Sequence, residues 1–288
     1  MTAIETLRGY VNTWECDENQ HLNVQFYNRF FEDAGGHFQN LTGVPAEQRR
    51  EPGLRHVRYH AELRVNAGLR VETMGVGDSG RQVAHLLYET TKGRLSATCL
   101  ETFDDPPPGL SEALRRNGGD LPEAAAPRSV DPAPVDPGPD GASPAGSIVS
   151  LGARVRAHYC RPDGTIFDSG IISMNSDAAA HFWEPTGINR GWLEERNFGS
   201  VAVEMKLTRT GPLLFGDLVH VVSRPIAVAR STITFENRFI QSETGDVAAI
   251  VQVTGLTMNL ETRRAVPLPD DIRARCEDLI AGKSPEPN

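Results

Sequence analysis

No apolar run in this chain approaches the roughly 20 residues that a helix needs to cross a bilayer, so a membrane-spanning protein is not expected. Cysteine is scarce too. The four thiols, Cys16, Cys99, Cys160 and Cys276, lie far apart without a CxxC pair, which argues against a zinc site and against a disulfide framework. No cluster of Lys and Arg is present, and a formal net charge of -9 would repel a nucleic-acid backbone, so nucleic acid is not an expected partner. The opening residues, MTAIETLRGYVNTWECD, show no basic leader followed by an apolar core, and the expected location is the cytoplasm. What remains, 39% hydrophobic and 23% charged residues, is the composition of a globular protein with enough apolar side chains for a substantial core.

A length of 288 residues suits one large domain or two ordinary ones. The stretch LPEAAAPRSVDPAPVDPGPDGASPAG, from Leu121 to Gly146, decides for two. It is dense in Pro, Ala, Gly and Asp without apolar periodicity, the pattern of an extended, poorly ordered linker. Domains are therefore expected at 1–118 and 148–288, with the linker over 119–147. A duplication is legible across it. AGGHFQNLTGV from Ala34 matches AAAHFWEPTGI from Ala178, and the same offset of 144 sets Val11 on Val155 and Cys16 on Cys160. Further along the offset grows, so that GRLSATCLET from Gly93 meets GDVAAIVQVT from Gly245, as small loop insertions would make it.

Each half reads as a short strand, one helix and several long strands. Phe26, Phe30, Ala34 and Phe38 recur every four residues with Tyr27 and Phe31 beside them, which gives a helix whose broad apolar face has to be buried. Residues 55–65, 69–76, 82–90 and 94–103 read as strands, β-branched, alternating and bounded by Gly-containing turns. Residues 200–208, 217–223, 231–241 and 247–256 repeat them. Four or five antiparallel strands curled around one long helix bury it economically. The expected class is α+β, two fused units each with an antiparallel sheet wrapped around a long central helix.

The segment richest in chemistry is WECDENQHLNVQFYNRFFEDA, Trp14 to Ala34. Its order Asp-x-Asn-x-His-x-Asn, made by Asp17, Asn19, His21 and Asn23 ahead of Tyr27 and an aromatic helix, resembles the hot-dog thioesterase superfamily of the 4-hydroxybenzoyl-CoA thioesterase type. It is also similar to the motif of plant acyl-ACP thioesterases. The resemblance implies two fused hot-dog domains that hydrolyse an acyl thioester of coenzyme A or of an acyl carrier protein. It further implies Asp17 as the catalytic carboxylate, with Asn19, His21 and Asn23 as positioning or polarising groups. No cofactor and no metal are expected.

The chemistry can be argued from the residues as well. A thiol leaving group with a pKa of about 8.5 scarcely needs a general acid, so one carboxylate can suffice. Asp17 can attack the carbonyl to form an anhydride or deprotonate a water held by Asn19 or His21. Placed just before the helix, it would also stand among the free N–H groups of the first turn, which could form an oxyanion hole. The plainer reading of Asp17 is a helix N-cap.

Glu62, in RYHAEL on the second strand, lies where the resembling acyl-ACP thioesterases have a functional acid, and it stands with Tyr27 as a further candidate. An exposed strand glutamate is its plainer reading. Arg58, His60 and Arg64 share one side of an alternating strand and, with Arg55, are candidates for the phosphates of coenzyme A, against a solvated sheet face. In the second half Arg161 takes the place of Asp17, Thr165 that of His21 and Phe167 that of Asn23. An arginine is no base at neutral pH, so this half is expected to keep the scaffold without the chemistry, with Arg161 as a substrate-binding candidate. It would complete the site as one half of an internal pseudo-dimer, and a further homodimer of whole chains is compatible with that. Asp163 or Asp168 is an alternative acid there, whereas Asp177, His181 and Glu184 read as structural. Two other functions compete: a non-catalytic hot-dog protein that binds an acyl thioester or a partner, and an enoyl-CoA hydratase or dehydratase.

Overall fold

The apolar residues spaced every four positions after Asn23 form a single helix, α1 (Val24–Leu41), in the computed structural model, which describes residues 3–17, 20–138 and 143–283. Contacts divide the chain into two units, Met1–Pro132 and Ala133–Asn288. In the first, β1 (Ile4–Tyr10) precedes α1, and β2 (Leu54–Tyr59), β3 (Gly68–Val76), β4 (Gln82–Glu89) and β5 (Leu95–Thr102) follow it. The strands run in the order β1-β3-β4-β5-β2, each antiparallel to its neighbour. Tyr27, Phe30, Phe31 and Ala34 of α1 pack on Val57, Val71, Leu87 and Ala97 of the sheet, the burial that the helical period demanded. A short helix, α2 (Pro108–Arg116), adds Leu110 and Leu114 to Phe38 and Val83 in a second cluster, and β6 (Gly118–Gly119) pairs with β3.

The second unit holds β7 (Ile148–Arg154), α3 (Asp168–Asp177), α4 (Ala179–Trp183), α5 (Arg190–Arg196), β8 (Phe198–Arg209), β9 (Leu218–Val228), β10 (Thr232–Gln241), β11 (Val247–Asn259), β12 (Arg264–Ala265) and α6 (Asp270–Ile280). Its strand order, β7-β9-β10-β11-β8 with β12 on β11, repeats that of the first. The likeness between the units reaches the details of pairing. β1 slips register against β3 between Glu5 and Leu7, and β7 slips against β9 between Val149 and Leu151. Within each slip a buried hydroxyl pair recurs, Thr6 with Thr73 at 2.7 Å and Ser150 with Ser223 at 2.7 Å. A bulge present in both units is a feature of the fold, since it re-aims the strand at a fixed place. The helices differ: α1 is continuous, whereas α3 and α4 are separate and lead into a 3-10 turn, Glu184–Thr186, at the place where α1 ends. Pro185 lies in that turn and has no N–H with which to prolong α4.

The linker departs from expectation, because its described residues are fastened to the sheets. Ala125 is buried against Val76, Ala84 and Leu100. Arg58 Nη1 donates to the carbonyls of Glu123, Ala124 and Ala126 at 3.3, 3.1 and 2.9 Å, and Thr98 Oγ1 donates to that of Ala124 at 2.9 Å. Past Pro132, Val135 packs on Val222, Ile240, Val247 and Ile250, and Lys206 Nζ donates to the Ala133 carbonyl at 2.6 Å. Periodicity does not detect such a segment. Its carbonyls are satisfied by side chains of distant strands rather than by a ladder of its own. No helix among the described residues is long and apolar enough to cross a membrane.

Candidate active site

The motif residues lie on a loop that turns back on itself between β1 and α1. A 3-10 turn, Thr13–Glu15, sets its base. The Glu15 carboxylate, almost fully buried, accepts from the Asn12 N–H at 2.9 Å and pairs with Arg29 of α1, which ties the turn to the helix. Beyond it the Asp17 N–H donates to the His21 carbonyl at 2.8 Å, and Asp17 Oδ1 accepts from the His21 N–H at 3.0 Å. Gln20 at the tip has a left-handed backbone, φ 62°. Asn23, rather than Asp17, caps α1: its Oδ1 accepts from the Gln25 N–H at 3.1 Å. One oxygen of Asp17 thus serves the loop and not the first helical turn. Asn19 lies outside the described residues.

Glu62 joins this loop from the far side of the sheet sequence. It does not lie on a strand as expected, because β2 ends at Tyr59 and the chain turns over 60–64. The His60 and Ala61 N–H groups both donate to the Ser96 carbonyl, at 2.8 and 3.0 Å, and the Leu22 N–H donates to the Leu63 carbonyl at 2.8 Å. This brings Glu62 Oε2 to 3.3 Å from His21 Nε2, with the imidazole 10% and the carboxylate side chain 32% exposed. The pair is sheltered on the histidine side and open on the glutamate side. The Tyr27 hydroxyl, buried under the turn, accepts from the Leu63 N–H at 3.1 Å. Burial, only partly opposed by the Ser96 hydroxyl, raises its pKa, so Tyr27 stays a neutral phenol.

Beside Glu62 opens a cleft of about 400 Å³ lined in part by Arg64, Asn66, Glu89, Lys92 and Arg94. Arg94 Nη2 donates to the Glu62 carbonyl at 3.0 Å. Of the basic residues read as phosphate candidates, Arg64 alone lines this cleft. Arg58 holds the linker, and His60 Nε2 meets Thr98 Oγ1 at 3.1 Å beneath it. Burial, reinforced by the Arg58 charge, lowers the His60 pKa. Arg55 is buried and 3.2 Å from Glu101, whose other oxygen is 3.3 Å from His85 Nε2. That internal cluster had no signal in the sequence pattern. Among the described residues no group of three or more His, Cys, Asp or Glu is arranged to hold a metal.

The second unit keeps the loop and exchanges its side chains. The Arg161 N–H donates to the Thr165 carbonyl at 2.8 Å and the Ile166 N–H to the Leu213 carbonyl at 2.9 Å, the bonds made by Asp17 and Leu22 in the first unit. Pro212 precedes Leu213 as Glu62 precedes Leu63, and Gly164, φ 88°, stands for Gln20. Arg161 Nη1 donates to the Ile166 carbonyl at 2.7 Å, and its guanidinium lies 4.6 Å from the Phe167 ring. Where the first unit pairs the buried Glu15 with the partly exposed Arg29, the second has a hydrogen bond between Tyr159 and Ser173 at 2.9 Å. Asp168 is paired with Arg209, and Asp163 accepts from the N–H and hydroxyl of Thr165. His181 and Glu184 are exposed, 3.9 Å apart, and Asp177 has its pKa raised by burial.

The second unit therefore carries the scaffold without an Asp, His and Glu at these three places, and the sequence of the whole chain can be set against known proteins with that geometry in view. No curated protein matches it. Solved structures do. A chain from Lactobacillus plantarum assigned as an oleoyl thioesterase superposes with a TM-score of 0.65 at 10% identity, over 89% of this chain and 97% of that one. The 12:0-ACP thioesterase of Umbellularia californica gives 0.60 at 9% identity, over 87% and 94%. An acyl-ACP thioesterase of Bacteroides thetaiotaomicron gives 0.59 at 9%, over 86% and 96%. At such identities the likeness is one of fold, two hot-dog units in one chain. The family model of the thioesterase-like superfamily matches residues 11–103 and 155–276, one stretch in each unit, and the chain belongs to that superfamily.

Proposed function

We propose that the first unit hydrolyses an acyl thioester at the corner formed by Asp17, His21 and Glu62. The observation that carries this reading is the 3.3 Å approach of Glu62 to His21 across 41 positions of sequence, within a loop that has Pro and Thr at the same two places in the second unit. A carboxylate beside an imidazole is a proton-handling pair, and the second unit forms the same loop bonds with Thr165 and Pro212 at these places. In the proposed reaction water adds to the thioester carbonyl, Asp17 takes its proton or itself attacks first, and the C–S bond breaks to release a carboxylic acid and a thiol. His21, oriented by Glu62, polarises the reacting groups. The Arg64, Lys92 and Arg94 side of the cleft suits the phosphates of a carrier, coenzyme A or acyl carrier protein.

The second unit, with Arg161 and Pro212 in place of the acids, supports a binding role without chemistry for that half. Thiol release from a panel of acyl-CoA and acyl-ACP substrates tests the proposal. Turnover that is lost in a folded Asp17→Asn variant supports it. Unchanged turnover removes Asp17 from the reaction, and no release from any thioester favours the non-catalytic binding reading.

A further inference from the structure

The proton inventory around Glu62 runs in one direction. Ser96 Oγ donates its single proton to the Ala61 carbonyl. It must then accept in its 3.3 Å contact with Tyr27, so the phenol donates to Ser96. The phenol oxygen in turn accepts from the Leu63 N–H at 3.1 Å. The two hydroxyls therefore hold the peptide groups on either side of Glu62: the Ala61 carbonyl before it and the Leu63 N–H after it. We infer that Tyr27 and Ser96 are positioning residues that fix the backbone of Glu62 so that its carboxylate faces His21. This rests on the reading of Glu62 as part of the site.

The chain contains its own control. In the second unit Ile171 stands for Tyr27, Ala248 for Ser96 and Pro212 for Glu62, so both hydroxyls are gone where the carboxylate is gone. The turn persists. The Thr210 and Gly211 N–H groups still donate to the Ala248 carbonyl at 3.0 Å each, as His60 and Ala61 do to Ser96. The Ile166 to Leu213 bond likewise remains at 2.9 Å. The turn's other hydrogen bonds form without the hydroxyls, and Pro212, whose ring fixes its own φ, stands where Glu62 has the two hydroxyl contacts on its flanking peptide groups. What the second unit lacks is a carboxylate to aim.

The test uses the full chain and a readout that needs no substrate. The His21 imidazole is titrated by NMR in the wild type, Glu62→Gln, Tyr27→Phe and Ser96→Ala, each checked by thermal melt. A facing carboxylate favours the imidazolium, so Glu62→Gln should titrate at lower pH than the wild type. Tyr27→Phe and Ser96→Ala, which leave the carboxylate in place but release it, should move part of the way. In thiol release both should lower kcat by about 10- to 100-fold, the scale of a misplaced group, with KM held within about 2-fold. Neither should add to the loss in a Glu62→Gln background. If Tyr27→Phe fails to fold because the Leu63 N–H loses its acceptor, Ser96→Ala carries the test. A wild-type His21 titration in folded Ser96→Ala overturns the proposal, as does an unchanged titration in Glu62→Gln. Absence of thiol release from the wild type would count against the hydrolase reading alone, because the titration stands apart from it.

Discussion

Gln20 and Gly164 hold the same corner of the loop in the two units, both with left-handed backbone, φ 62° and 88°. Glycine adopts that conformation freely, whereas a side chain there costs about 1 kcal/mol or more. The first unit thus stores strain three residues after Asp17 and one residue before His21. Gln20→Gly should raise the melting temperature by a few degrees. A lower melting temperature in that variant would show that the Gln20 side chain itself holds the loop.

Arg55 and Glu101 lie opposite each other on β2 and β5, and Met205 and Val253 lie opposite each other at the same register on β8 and β11. One unit fills the place with buried ions, the other with apolar groups. Removing one member of a buried pair leaves a charge without compensation, about 3–5 kcal/mol, while replacing both by well-packed apolar residues is often neutral. Arg55→Met should therefore destabilise strongly, and Arg55→Met with Glu101→Val should recover part of the loss in denaturant unfolding, since the buried His85 Nε2 still loses its Glu101 oxygen. A double variant no better than the single one would refute the equivalence.

His60 links pH to the linker. Its folded pKa lies below the ordinary 6.5, first through burial and then through Arg58, with the Ala124 backbone acting in the opposite sense. The unfolded chain then binds the proton first as pH falls, so the contribution is present above about 6.5 and is lost as pH drops through the lower folded value. Acidification from about pH 7 to pH 5 should lower the melting temperature of the wild type more than that of His60→Gln. Equal slopes would remove His60 from the acid response.

The two units should respond unequally to loss of charge in the loop. Asp17→Asn keeps an oxygen to accept from the His21 N–H, so its melting temperature should match the wild type while kcat falls by about 10²- to 10⁴-fold. Arg161→Ala should leave kcat near the wild-type value. A rise in KM alone would mark Arg161 as a substrate contact. Equal loss of kcat in both variants would mean that the second unit shares in the chemistry.

Much of the fold is legible because its signals are local. The four-residue recurrence from Phe26 to Phe38 gives α1, and alternation gives most strands to within a few residues. The site is legible only in part, since contacts such as Glu62 with His21 depend on where a turn after β2 delivers the chain. Periodicity alone extends the second strand past Tyr59 to Val65 and so gives Glu62 a solvent-facing strand position, whereas β2 ends at Tyr59. Asp17 and Asn23 are both good capping residues ahead of an apolar run, and spacing alone does not choose between them. Arg55, Arg58 and His60 read as one basic strand, yet a buried acid takes the first, linker carbonyls the second and Thr98 the third.

The difference between Glu15 with Arg29 in one unit and Tyr159 with Ser173 in the other bears on how the two loops can be interchanged. Replacing Arg29 alone would leave the buried Glu15 carboxylate without its cation, whereas replacing Glu15 alone would leave an Arg29 that solvent still reaches. An exchange that begins at Glu15 therefore avoids the stranded charge that one beginning at Arg29 creates. Grafts between the units should succeed as whole pairs and fail where Arg29 alone is exchanged, because that change leaves the buried carboxylate behind.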